Sequence, residues 1–200
     1  MQIHLASNNQ KKAKELQRVL QAAGISGVEI LLMADVAPYA EPIEDGRSFE
    51  DNALIKARAG AAATGVPTLA DDSGLAVDEL NGMPGVLSAR WSGRHGDDEA
   101  NNDLLLGQMA HVPDERRGCG FVSVCALVLP SGEEHVARGE WRGTLLRERR
   151  GDGGFGYDPL FLPEDADGRA SAELTPEEKD ARSHRGKALA QLVPVIAGLV

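Results

Sequence analysis

The chain has 200 residues, 42% hydrophobic and 26% charged, which is typical of a globular protein of one domain or two small lobes. Its formal net charge of −10 argues against nucleic-acid binding, because proteins that coat phosphate backbones are usually basic. No basic segment followed by a long apolar one opens the chain, and no apolar run reaches membrane-spanning length. We therefore expect a soluble, cytoplasmic protein without a membrane partner.

Hydrophobic periodicity and turn residues predict strands interleaved with helices in chain order. In the first half, the pattern predicts strands at 2–6, 28–33, 68–70 and 75–77 and helices at about 10–23 and 51–64. In the second half, it predicts a helix at about 98–110, strands at 120–129 and 135–145, a glycine-rich loop at 151–156 and a last helix at about 176–192. This mixture indicates an α/β or α+β fold with a mixed sheet, and we expect a single domain over residues 1–200.

A candidate anion site lies where the first predicted strand meets the first helix. Free backbone N–H groups and the helix dipole favour an anion there, and Ser and Asn side chains add donors. Lys12 lies one turn into the helix and could reach a phosphate, although the glycines of a Walker A loop are absent. The alternative is a capped surface helix with solvated lysines. The candidate residues are Ser7, Asn8, Asn9, Gln10, Lys11 and Lys12.

Two adjacent carboxylates, Asp71 and Asp72, interrupt an apolar run. Successive side chains of a strand point to opposite faces, so both acids can face one cleft only if the strand ends there, which Gly74 would permit. One or two carboxylates with waters and phosphates are enough to hold Mg²⁺. Asp72 is therefore a candidate metal ligand, and Asp71, Glu44 and Asp51 are further candidates. The alternative is a polar turn between two strands.

A phenylalanine between glycines stands in G-G-F-G-Y-D-P, residues 153–159. The ring of Phe155 is a candidate stacking platform for a nucleobase, and Asp158 could accept a hydrogen bond from a base N–H. The alternative is a tight turn plugged by one core aromatic.

The densest basic cluster lies in the last predicted helix. Lys179, Arg182 and Arg185 recur at helical spacing, which predicts a basic stripe facing a phosphate or a base carbonyl, with His184 beside it. The alternative is an exposed face of salt bridges. Together with the anion and metal candidates, the stacking ring and the basic cluster indicate a nucleotide pocket.

Six motifs along nearly the whole chain match one protein family in consistent order. They are S-x-N-x-x-K at 7–12, G-x-[ST]-F-x-[ED]-N-A at 46–53, A-D-D-S-G-L-x-V-D at 70–78, P-G-x-x-S-A-R-x-S-G at 84–93, G-G-F-G-Y-D-P at 153–159, and E-L-T-x-E-E-K with S-H-R-G between 173 and 186. On these motifs, the chain strongly resembles the inosine/xanthosine triphosphate pyrophosphatase family.

The resemblance implies a long mixed central β-sheet flanked by helices, two lobes with the active cleft between them, and a homodimer. It also implies Mg²⁺-dependent hydrolysis of ITP, dITP or XTP to the monophosphate and diphosphate. By position, residues 7–12 would hold the triphosphate, with Lys12 stabilising charge in catalysis, and Asp72 would be the metal-associated catalytic acid/base. The other implied substrate contacts are Ser73, Phe155, Gly156, Tyr157, Asp158, Lys179, His184 and Arg185.

Arginine only donates hydrogen bonds, so Arg185 would pair with the 6-oxo group of inosine or xanthine and be left unpaired by the 6-amino group of adenine. Two rival functions remain open. One is a pyrophosphatase for modified pyrimidine triphosphates, and the other is a nucleotide-binding regulator without chemistry. An RNA-binding domain is a third, which the acidic charge disfavours.

Overall fold

The computed structural model describes residues 1–200. The helices are α1 (Gln10–Ala22), α2 (Phe49–Thr64), α3 (Asp98–Gln108), α4 (Pro176–Asp180) and α5 (His184–Leu199). The strands are β1 (Gln2–Leu5), β2 (Glu29–Leu31), β3 (Thr68–Val77), β4 (Met83–Pro84), β5 (Gly118–Val128), β6 (Glu134–Leu145) and β7 (Phe161–Pro163). None of these helices is both long enough and apolar enough to span a bilayer.

The strands form one seven-stranded sheet in the order β2-β1-β3-β5-β6-β7, with β4 paired to β3. β1 runs parallel to both β2 and β3, whereas β4 is antiparallel to β3 and β7 is antiparallel to β6. The predicted α/β class with a mixed sheet is therefore confirmed.

Two compact units divide the chain. The first unit holds residues 1–72, 123–139 and 185–200, and the second holds residues 73–122 and 140–184. The boundaries fall inside β3, β5, β6 and α5, so three strands and one helix contribute residues to both units. The single domain expected over residues 1–200 stays a prediction.

The first unit buries apolar side chains on one face of its strands. Ile3 and Leu5 of β1 pack with Leu16 of α1 and Leu189 of α5. The opposite face, reached by the alternating residue His4, meets α2, where a Cβ added at Gly60 would lie 3.0 Å from the His4 ring. Helices α1 and α5 therefore cover one face and α2 the other, and glycine permits the close approach of α2.

The second unit has its own core. Leu75 of β3, Leu105 of α3, and Trp141 of β6 pack with Leu160 and Phe161. The rings of Trp141 and Phe161 meet edge to face with centroids 5.3 Å apart, a favoured aromatic geometry. This core fixes the strands and helices from which the glycine-rich loop emerges.

The expected break between two short strands at the acidic pair is wrong. β3 runs without interruption for 10 residues, from Thr68 to Val77. Gly74 serves close packing instead, because a Cβ there would lie 2.4 Å from Ser88 Oγ and 2.5 Å from Gly85 O. Since the strand continues, Asp71 and Asp72 point to opposite faces.

The prediction of a single last helix is also wrong. Its predicted capping box and first-position proline are present in α4, where the Thr175 side chain accepts from Glu178 N. However, the N–H groups of Arg182 and Ser183 bond to carbonyls three residues back, which tightens the chain and ends α4 before α5 begins. Lys179 and Arg185 thus lie on different helices, and the predicted basic stripe does not form.

We expect Gly74→Ala to lower the free energy of unfolding by about 1–3 kcal/mol, because the new methyl group overpacks against Ser88 and Gly85. Urea unfolding measures the change. The matched control is Gly107→Ala within α3, where a Cβ meets no atom within 4 Å, and it should stabilise by about 0.5–1 kcal/mol. Wild-type stability in Gly74→Ala would contradict the packing role.

Candidate active site

The segment at residues 7–12 joins β1 to α1 and is arranged by its own polar side chains. Asn9 caps α1, with its Oδ1 accepting from Lys11 N at 2.9 Å, and Ser7 Oγ accepts from Asn9 N at 3.1 Å. Asn8 Oδ1 accepts a backbone N–H from the segment after β2 at 2.9 Å. The exposed residues of the segment are Asn8, Asn9, Gln10 and Lys11. The predicted donors thus act here partly as acceptors that shape the loop.

Asp71 is the centre of a buried charge cluster in the first unit. Its side chain, from a residue 6% exposed, accepts from Lys12 Nζ at 2.8 Å and from Arg185 Nε at 2.9 Å. Arg185 Nη1 also donates to Glu15 Oε2 at 3.2 Å. Burial alone would raise the pKa of Asp71, but Lys12 and Arg185 hold this pKa well below its ordinary value. These ion pairs connect β3 to α1 and α5.

Asp72 faces α2 on the other side of β3. Asn52 Nδ2 donates to Asp72 Oδ2 at 3.1 Å, and Lys56 Nζ lies 3.9 Å from Asp72 Oδ1. The same ammonium group is 2.9 Å from Glu44 Oε2. Two carboxylates therefore converge on one cation. A pocket beside them is lined by Ala6, Met33, Tyr39, Glu41, Pro42, Glu44 and Lys56.

The four predicted metal ligands do not form one cluster. No group of three or more His, Cys, Asp or Glu side chains within residues 1–200 is arranged to hold a metal ion. Asp51 Oδ2 instead accepts from the N–H groups of Arg47 and Ser48, both at 3.1 Å, and Asp71 is engaged by its two cations. Glu44 and Asp72 both direct carboxylate oxygens at the Lys56 ammonium group. Two such carboxylates fit a hard divalent cation that takes its further ligands from waters and phosphates.

In the second unit, the glycine-rich loop displays Phe155. This residue is 67% exposed, which rules out the alternative of a core aromatic plug, and Lys179 Nζ lies 5.0 Å from its ring centroid. Asp158 is buried beneath the loop. Its carboxylate accepts from Ser171 Oγ at 2.8 Å, from Phe155 N at 2.8 Å and from Lys179. These contacts give Asp158 a role in holding the loop and the lysine.

Helix α3 holds the same loop at one residue, Gly156. Gly156 N donates to Asp98 Oδ2 at 2.7 Å, and Gly156 O accepts from Asn102 Nδ2 at 2.9 Å. The glycine has a φ of 60°, a conformation that other residues adopt at a cost. Tyr157 is buried, and its hydroxyl donates to Ser88 O at 2.9 Å. Phe155 is thus the aromatic side chain that this loop presents to solvent.

The remaining predicted residues lie in separate surroundings. The His184 ring stacks on Phe121 with centroids 5.3 Å apart and planes 16° apart, and Ser73 is a half-buried residue of β3. Arg182 of the expected basic stripe donates to Glu178 O at 2.8 Å and to Asp165 O at 3.1 Å. Lys179, Arg182 and Arg185 therefore each have their own acceptors.

Reasoning from sequence missed Glu15, Asn52 and Lys56. All three touch a predicted site residue within the first unit. The available signal was helical spacing, since Glu15 lies three residues after Lys12 and Lys56 lies four residues after Asn52, which places each pair on one helix face.

Comparison with known proteins decides the family. The sequence model described as the Ham1 family matches residues 3–195, which is almost the whole chain. The chain belongs to the Ham1 family. The resemblance drawn from the six motifs is confirmed by this match and by relatives named dITP/XTP pyrophosphatase.

Relatives of this Ham1-family chain cover it nearly end to end. A protein from Corynebacterium glutamicum named dITP/XTP pyrophosphatase is 66% identical, over 98% of this chain and 97% of its own length. The crystal structure of a nucleoside-triphosphatase / dITP/XTP pyrophosphatase from Mycobacterium abscessus is 62% identical with a TM-score of 0.84, covering 98% of this chain and 100% of that one. The Staphylococcus aureus Ham1 protein is 34% identical with a TM-score of 0.89, covering 100% of both chains.

We expect Asp71→Asn to lower the free energy of unfolding by about 3–5 kcal/mol, because it leaves the positive charges of Lys12 and Arg185 poorly compensated in a buried place. Urea unfolding at neutral pH, with and without Mg²⁺, measures the loss, which should be the same in both conditions. The control Asp103→Asn removes an exposed partner of Arg149 and should change stability by less than about 1 kcal/mol. A loss seen only with Mg²⁺ would instead make Asp71 a metal ligand.

Proposed function

We propose that this chain is a pyrophosphatase that hydrolyses the non-standard purine nucleoside triphosphates dITP, XTP and ITP to the nucleoside monophosphate and diphosphate. One observation carries the proposal: the carboxylates of Glu44 and Asp72 both approach the Lys56 ammonium group, and one or two carboxylates with phosphates and waters are enough to hold Mg²⁺. Membership of the Ham1 family supports it, since relatives are named for this activity on dITP and XTP.

Mg²⁺ is the proposed cofactor, and Glu44 and Asp72 are the residues that would hold it. When bound, the ion supplies positive charge that neutralises the triphosphate. Asp51 and Asp71, the other two predicted ligands, contribute by holding the start of α2 and the charge cluster.

The first unit supplies the hydrolytic chemistry in this proposal. Asp72 acts as the general base that takes a proton from the attacking water, a task for a half-buried carboxylate. Lys12 and the N–H groups of residues 7–12 bind phosphate oxygens and stabilise the charge that develops as the phosphoanhydride bond breaks. The Lys12 ammonium group is already located by Asp71, 2.8 Å away. Ser73, next in the chain to Asp72, contacts the substrate.

Three side chains recognise the base in this proposal. The exposed ring of Phe155 stacks on the purine, on a loop held by Gly156, Tyr157 and Asp158, with Lys179 beside the ring. His184 and Arg185 donate to the 6-oxo group. Because an adenine amino group cannot accept those hydrogen bonds, the site would reject ATP.

A diphosphate-release assay tests this function. We expect Mg²⁺-dependent turnover of dITP, XTP and ITP, and a kcat/KM for ATP that is lower by about 10²-fold or more. GTP and a set of modified pyrimidine triphosphates complete the panel. Turnover of the pyrimidines alone would contradict the substrate class, and tight dITP binding without diphosphate release would contradict the chemistry.

Asp72→Asn should lower kcat on dITP by about 10²–10⁴-fold, because the amide cannot accept the proton from water. Its thermal unfolding temperature should stay near that of the wild type. The control Asp103→Asn makes the same chemical change at an exposed helix position of the second unit and should keep full activity. Activity of Asp72→Asn within a few-fold of wild type would remove Asp72 from the role of base.

The homodimer implied by the resemblance and the cytoplasmic location expected from the sequence also remain predictions for this chain. Light scattering tests the first, since a dimer has twice the 21.2 kDa mass of the chain. A solution mass of a single chain would contradict it.

A further inference from the structure

We propose that Asn52 is a positioning residue that fixes the orientation of the Asp72 carboxylate, and that Gly46 in turn fixes Asn52. The inference rests on the proposed function for the task of Asp72, and on geometry for everything else. Asn52 lies on α2 in the first unit and is 2% exposed. At that depth it is a poor contact for substrate, so it would act through Asp72.

Two hydrogen bonds dictate which way the Asn52 amide points. Its Oδ1 accepts from Gly46 N at 2.9 Å, and its Nδ2 donates to Asp72 Oδ2 at 3.1 Å. A backbone N–H can only donate and a carboxylate can only accept, so the reversed amide would make both contacts repulsive. The amide therefore has one orientation, and that orientation presents a donor to Asp72.

The fit between Gly46 and the amide leaves no room for a side chain. A Cβ added at Gly46 would lie 2.6 Å from Asn52 Oδ1 and 2.5 Å from the Asp51 Cβ. The turn that carries Gly46 is itself fastened, because Asp51 Oδ2 accepts from the N–H groups of Arg47 and Ser48 at 3.1 Å. Turn, amide and carboxylate thus form a chain of contacts that ends on Asp72.

The two oxygens of Asp72 consequently have different neighbours. Oδ2 accepts from Asn52, while Oδ1 lies 3.9 Å from Lys56. A carboxylate held at one oxygen cannot rotate freely, and displacing a reacting group by about 1 Å can slow a reaction by about 10²-fold. Loss of the Asn52 contact should therefore reduce kcat more than it changes KM.

The test compares kcat and KM on dITP for Asn52→Asp and Asn101→Asp. The first replaces the donor to Asp72 by an oxygen but keeps an acceptor for Gly46 N. The second is a matched control, because Asn101 is also a buried helix residue whose Oδ1 accepts a backbone N–H, from Ser92 at 2.7 Å in the second unit. We expect kcat to fall by about 10²-fold in Asn52→Asp with KM within about threefold of wild type, and little change in kcat for Asn101→Asp.

A second variant removes the contact without adding charge. Gly46→Ala should push the amide away from its place and lower kcat by about 10-fold at nearly constant KM. Gly107→Ala, where a Cβ meets open space, is its control. Thermal unfolding of all four variants reports whether any loss of kcat follows from unfolding at the assay temperature.

Wild-type diphosphate release tests the proposed function, whereas the ratio of variant to wild-type kcat tests Asn52. A kcat within about threefold of wild type in both Asn52→Asp and Gly46→Ala would overturn the inference. Displacement of a reacting group can slow a reaction by about 10²-fold, so such a small change would mean that neither contact positions Asp72. An equal loss in Asn101→Asp, or a loss that appears in KM alone, would also overturn it.

Discussion

The two-residue period of an extended strand governs the site in the first unit. Because β3 does not break, Asp71 and Asp72 are sent to opposite faces of the sheet. One face is covered by α1 and α5, which supply cations to Asp71, and the other is covered by α2, which supplies Asn52 and Lys56 to Asp72. Two acids that are neighbours in sequence thereby contact different partners on opposite faces of the sheet.

The buried member of the pair sets the position of groups proposed to bind substrate. A carboxylate away from water needs compensating charge, and Asp71 obtains it from Lys12 and Arg185. Burial alone would lower the pKa of Arg185, but Asp71 and Glu15 raise it above its ordinary value, so the guanidinium stays charged. The same ion pairs that stabilise the fold thus locate the Lys12 ammonium group proposed to bind phosphate and the Arg185 guanidinium proposed to contact the 6-oxo group.

Local sequence rules predicted much of this, and contacts between distant residues explain the rest. The Asn9, Ser48 and Thr175 caps depend on residues within three positions, so spacing alone predicts them. The continuity of β3 depends on packing of Gly74 against Ser88, and the exposure of Phe155 depends on how Asp98 and Asn102 hold the next residue. A local sequence pattern does not show that Gly74 packs against Ser88 or that Asp98 and Asn102 bond to Gly156. For this reason the sequence predicts a break in β3 and leaves open a core position for Phe155.

The grip of α3 on Gly156 has a thermodynamic consequence. The backbone N–H and C=O of Gly156 are both hydrogen-bonded within the protein, and Asp158 accepts from the N–H of Phe155 one residue earlier. The conformational entropy of the loop is therefore lost during folding and not in the proposed binding of a base. A ring presented by a pre-organised loop keeps more of its stacking free energy as affinity, because little further ordering is required on binding.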